Sequence, residues 1–221
     1  MDPWGDDARW YPDIVEAGDA SEAWRAEFER QGVTFDVQPD GDLSRHRRAG
    51  VSSGELRADL TARRGQRQFY LALRTGRFTA LQGFAPDLAV AAQAARMWLA
   101  GTRPGEVAAA FPFLGSVALA EARERGDRAE SRWLWLYENH CDDPIGAKLR
   151  AFVALAFHEP RLRQPQPFTS HFTLGFGRDH PVVTPASTAD RFVVRTRDGH
   201  VHEETDAPGA LRLVLADLPP T

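Results

Sequence analysis

Apolar residues along this chain change their period several times, and that order of periods constrains its fold more than any other feature. Val33, Phe35 and Val37 alternate with polar neighbours, and so do Phe69, Leu71 and Leu73. Side chains on a strand point alternately to opposite faces, so both segments read as half-buried strands. From Pro86 onward Leu88, Ala91, Ala92, Ala95 and Leu99 recur at helical spacing instead. Helical signals then continue to Pro160: Gly101 and Gly126 as stops, Asp127 with Glu130 as a capping box, and Asp143-Pro144 as a start. Alternation returns at FTSHFTLGF, RFVVRT and HVHEET, the last two joined across Asp198-Gly199, and Pro208 to Leu218 forms a closing amphipathic helix. Strands, helices, strands, helix is the order of an α+β fold. The expected architecture is one mainly antiparallel sheet of N- and C-terminal strands with the central helices packed on it.

Within that frame RQFYLAL and RFTALQ form a hairpin through Thr75-Gly76, Glu55 to Ala62 adds a sheet segment, and PDGDLSRHRRAG reads as a loop. A helix begins near Ser21, with Trp24 and Phe28 on one face and Gly32 at its end. Residues 1–20 are acidic but contain Trp4, Trp10, Tyr11 and Ile14, and read as an N-terminal arm. Residues 21–221 are expected to form a single α+β domain. At 221 residues and 43% apolar composition the chain can bury a sizeable core.

The formal net charge of −4 gives no global positive field for nucleic acid or anionic lipid, so neither is an expected partner. A lone cysteine, Cys141, excludes an intramolecular disulfide and a multi-cysteine zinc site. The acidic start and the lack of an apolar run of about 20 residues make a cytoplasmic location the expectation, with no membrane partner.

The C-terminal third carries Arg161-Leu162-Arg163, Pro167-Phe168-Thr169-Ser170-His171, Leu174, Phe176, the turn at Asp198-Gly199 and ALRLVLADLPP. Together with Trp98-Leu99-Ala100-Gly101 and Ala110-Phe111-Pro112-Phe113, these segments resemble an actinobacterial family of unknown biochemical function. Its members are commonly labelled natural product biosynthesis proteins. The resemblance runs over about residues 65–218 and departs at Gly175-Phe176-Gly177, which is glycine-rich where a regular strand is expected. It implies an association with specialised-metabolite pathways and supplies no catalytic residues.

The candidate chemistry is local. Ser170 and His171 are neighbours, and on one strand their side chains diverge, so they do not make a nucleophile and base with each other. A strand running 168–176 places Phe168, Ser170, Phe172, Leu174 and Phe176 on a core face, and Thr169, His171 and Thr173 on the other. His171 remains the best candidate general base of an enzyme whose pocket draws on distant residues. His200 and His202 lie two apart, with Glu204 beyond them, as in a divalent metal site or equally a polar exposed strand. His140, Cys141, Asp142 and Asp143 adjoin a helix start, where Asp143 is already explained as a cap. Arg45, Arg47 and Arg48, with Arg57, Arg63, Arg64 and Arg67, form a basic cluster able to receive a phosphate, an acidic peptide or a carrier domain. There is no phosphate-binding glycine loop, dinucleotide fingerprint or nucleophile elbow. The sequence reading is therefore an accessory or binding protein of a specialised-metabolite pathway, with a biosynthetic protein or a small-molecule intermediate as partner and no cofactor. An enzyme of the same pathway is the alternative.

Overall fold

The structure, a computed structural model, describes residues 4–40, 45–139, 144–170, 173–177 and 181–219. The α+β class holds, with both sheets antiparallel. The chain divides into two compact units, residues 1–124 and 125–221. Each has its own sheet and hydrophobic core, so the N- and C-terminal strands do not share the one sheet that the order of periods suggested.

In place of a separate N-terminal arm, the first unit begins with a 3-10 turn at Gly5–Trp10 and helix α1 (Pro12–Ala17). Trp4, Tyr11 and Ile14 are buried in the same core as Trp24 and Phe28. The Tyr11 hydroxyl lies 2.8, 2.7 and 2.9 Å from the carbonyl oxygens of Arg63, Gln66 and Gln68, and it accepts the Gln68 N–H at 3.0 Å. Arg67 adds a fork to Asp13 at 2.7 and 2.9 Å. Aromatic burial thus outweighs the acidic composition that suggested a loose segment.

Helix α2 (Ala20–Arg30) is capped by Asp19, whose Oδ1 accepts from the N–H groups of Ser21 and Glu22. The sheet is a meander: β1 (Gln38–Pro39), β2 (Arg48–Ser53), β3 (Leu56–Ala62), β4 (Phe69–Thr75) and β5 (Phe78–Ala85), paired in that order. Two expectations shift here. Val33–Val37 makes no ladder, although Val37 is buried, and β2 arises inside the segment read as a loop. That strand is written in small residues: a Cβ on Gly50 would stand 2.6 Å from Arg57 Nη2. Helix α3 (Leu88–Leu99), capped by Asp87, packs on β3 and β4. Helices α4 (Pro104–Ala110) and α5 (Val117–Glu124) complete the unit.

In the second unit α6 (Arg128–Asn139), α7 (Pro144–Ala156) and the single turn α8 (Pro160–Arg163) precede the strands. These are β6 (Phe168–Ser170), β7 (Thr173–Gly175), β8 (Val182–Pro185), β9 (Arg191–Arg195) and β10 (Thr205–Asp206), followed by α9 (Ala207–Asp217). The sheet order β10-β9-β8-β7-β6 leaves β6 at an edge. Trp133, buried on α6, donates its indole N–H to the Leu162 carbonyl at 2.7 Å and joins a core with Phe152, Phe176 and Phe192. The Asp198-Gly199 turn is a three-residue loop, not a two-residue one. Thr196 accepts from Gly199 N–H at 3.0 Å, and Gly199 takes the left-handed conformation at φ +86°. Beyond it HVHEET forms only one isolated bridge, Val201 to Arg195, before β10. Among the described residues no helix is long and apolar enough to cross a membrane.

Candidate functional site

The segment read as one strand, 168–176, is two. Phe168, Thr169 and Ser170 pair with Gly175, Leu174 and Thr173, so the chain reverses between β6 and β7. Directly paired residues of an antiparallel ladder share a face. Thr169 therefore stands with Leu174, Val183 and Val194 on the core side of the sheet. Phe168, expected in the core beside Leu174, lies on the other face at 39% exposure. Gly175 makes room for it: a Cβ there would be 2.4 Å from the Phe168 ring. Counting by twos failed because the alternation resets at a reversal.

Thr169 meets α6 at Arg132, whose Nη2 donates to Thr169 Oγ1 at 2.7 Å. One helical turn on, the Trp135 ring stands against the same guanidinium, 4.4 Å from Cζ to the centroid. Arg132 is half-buried, and among the described residues no carboxylate pairs with it. Burial lowers its pKa below the usual arginine value, with no charged neighbour contributing. Glu130, also on α6, pairs instead with Arg163 of α8. A half-buried cation held by a neutral hydroxyl and an aromatic ring, with no carboxylate beside it among the described residues, keeps an uncompensated charge and is chemically suited to meet an anion.

The sequence candidates fare differently. Ser170 is exposed at the end of β6, beside Thr169, whereas His171 lies outside the described residues, as do His140, Cys141, Asp142 and Phe172. Asp143, read as a cap, lies outside them too. His200 and His202 do come together, their rings 4.6 Å apart and edge to face. Among the described residues no group of three or more His, Cys, Asp or Glu side chains is placed to hold a metal.

The arginines of the basic cluster have different partners. Arg47 is only 4% exposed and works as a structural clamp, its guanidinium 4.7 Å from the Trp4 ring and its Nε donating to His46 at 3.1 Å. Arg45 opens the 3-10 turn that carries both, Arg48 is exposed on β2, Arg63 lies over Phe84, and Arg67 is held by Asp13. Arg57 binds Asp59, which also takes Arg74.

Sequence reasoning missed Arg132. Its spacing from Trp135, three residues on a helix, was a legible sign of a shared face. Thr169, 37 positions away, carried no such sign.

Residues 127–221 match a family of unknown function, DUF6193. The matched span begins with α6 and so contains Arg132, Trp135, Thr169 and the whole second sheet. Trp98–Gly101 and Ala110–Phe113, which entered the sequence resemblance, lie outside it. No curated protein and no solved structure matches the chain.

Proposed function

We propose that this protein is a binding protein whose C-terminal unit captures an anionic group at Arg132, with Thr169 fixing the guanidinium and Trp135 backing it. The observation that carries this reading is the half-buried guanidinium whose partners among the described residues, Thr169 and Trp135, are both neutral. Holding a cation in that state costs stability, and a ligand that supplies the missing charge recovers it. The likeness of the C-terminal third to proteins labelled natural product biosynthesis proteins supports placing the ligand in a specialised-metabolite pathway. It is then a small-molecule intermediate or a group presented by a biosynthetic partner, and the protein is an accessory to that chemistry.

The test follows the arginine Nε–H signals by NMR during titration with acetate, benzoate, sulfate and phosphate. The signal that disappears in Arg132→Gln is expected to shift and saturate with at least one of these anions. No shift with any of them would overturn the reading. In the source organism, Arg132→Gln should abolish the metabolite while the protein remains folded and abundant, and an unchanged metabolite profile would remove the accessory role.

A further inference from the structure

Among the described residues the proposed binding site has one cation, Arg132. Arg163, on the turn packed against α6, is neutralised by Glu130 and also sits 4.3 Å over the Phe157 ring. Nothing among the described residues supplies Arg132 with a second positive charge. A dianion brought to this half-buried position would leave one charge uncompensated and partly desolvated, and that penalty falls on the ligand. A monoanion is balanced.

The fork of the guanidinium points the same way. Nη2 commits one hydrogen to Thr169 and the ring face is spent on Trp135. What remains are in-plane N–H groups, which suit two oxygens of a planar or tetrahedral head group side by side.

Resting on the reading of Arg132 as an anion receptor, we infer that its ligand presents a single negative charge, as a carboxylate or a phosphodiester, and that phosphate monoesters are rejected. A phosphate monoester carries about −1.5 to −2 charges at neutral pH, whereas a diester or a carboxylate carries one. The selection is by charge count, not by a shape that excludes phosphorus.

The experiment holds the body of the probe constant and changes only its head group. The full-length protein is titrated at pH 8 with benzoate, methyl phenyl phosphate, phenyl phosphate and benzyl alcohol, again reading the Arg132 Nε–H signal. Benzoate and methyl phenyl phosphate should saturate it at concentrations at least about tenfold lower than phenyl phosphate, and benzyl alcohol should leave it unmoved. Whichever of the first two binds more tightly identifies the carboxylate or the diester as the source. Arg132→Lys keeps the charge and loses the fork, so isothermal calorimetry, run on the wild type and on the Arg132→Lys and Arg132→Gln variants alike, should show both anions bound about tenfold more weakly by the lysine variant while the fold is unchanged. Phenyl phosphate binding as tightly as benzoate would overturn the monoanion inference and leave the receptor standing. Absence of binding by every anion would overturn both, and so would tight binding that survives in Arg132→Lys and Arg132→Gln alike.

Discussion

Tyr11→Phe separates the hydroxyl that ties the N-terminal segment to the first sheet from the ring that fills the core. The ring keeps its neighbours, Trp4 at 5.6 Å and Phe69 at 5.4 Å between centroids, so the apolar contribution is retained. The hydroxyl faces three carbonyl oxygens with one proton and accepts one N–H. Its removal therefore deletes one donated bond and one accepted bond, and leaves the half-buried Gln68 N–H without that acceptor. Each such bond is worth about 1 kcal/mol net, and an unsatisfied buried donor adds about 1–3 kcal/mol in its own right, so a loss of about 2–3 kcal/mol is expected. A two-unit chain is poorly served by one global melt, so the assay is hydrogen exchange at the most protected amides of β3 and β4. Their exchange should accelerate about 30- to 150-fold. An acceleration below about threefold would show that the hydroxyl does not bind the segment, and the account of residues 4–17 as part of the first unit's core would fall with it. The pH dependence gives a second reading. Burial raises the Tyr11 pKa above its ordinary 10.0, against the opposing backbone hydrogen bonds at Gln68 and Arg63 and the nearby guanidinium groups of Arg47 and Arg67. An acid whose folded pKa is raised contributes stability that is complete below the unfolded value and is lost as pH climbs through the folded one. Wild type should thus lose stability in strongly alkaline solution. Tyr11→Phe should lose less, the remainder belonging to Tyr70, whose pKa burial also raises.

Two further substitutions test packing and the receptor. At Gly83 an added Cβ would stand 1.7 Å from the Phe113 carbonyl oxygen, which is backbone, whereas at Gly175 it meets the partly exposed Phe168 ring, which can swing away. Gly83→Ala should therefore cost about 3 kcal/mol or more and Gly175→Ala under about 1.5 kcal/mol, each read from hydrogen exchange at the most protected amides of its own unit; equal costs would show that the backbone near Phe113 yields. Arg132→Met removes a half-buried cation while keeping apolar contact with Trp135, so exchange of the second unit's most protected amides should show stability unchanged or raised by about 1 kcal/mol, and a loss above about 1 kcal/mol would make Arg132 a structural residue.

The features legible in the residues alone are those whose interactions close within a few positions. Asp87, as a cap, was legible from its place before an apolar helical stripe, and the side chain does accept from Val90 N–H at 2.7 Å. Asp127 likewise accepts from Glu130 N–H, although Glu130 turns its carboxylate to Arg163 and does not close the capping box. The hairpin through Thr75-Gly76 and the final helix were legible for the same reason, as period, turn and cap are all local. The partition into two cores was not, because an alternating strand specifies that one face is buried without specifying against what. The reversal between β6 and β7 escaped a count by twos, which has no term for a turn. Tyr11 finds its carbonyls more than 50 positions away and Arg132 finds Thr169 at 37, and the residue types alone, an aromatic phenol and an arginine, name no partner. Only the folded chain decides which cations are neutralised, as with Arg57, Arg67 and Arg163, and that Arg132 stands instead beside a hydroxyl and an indole.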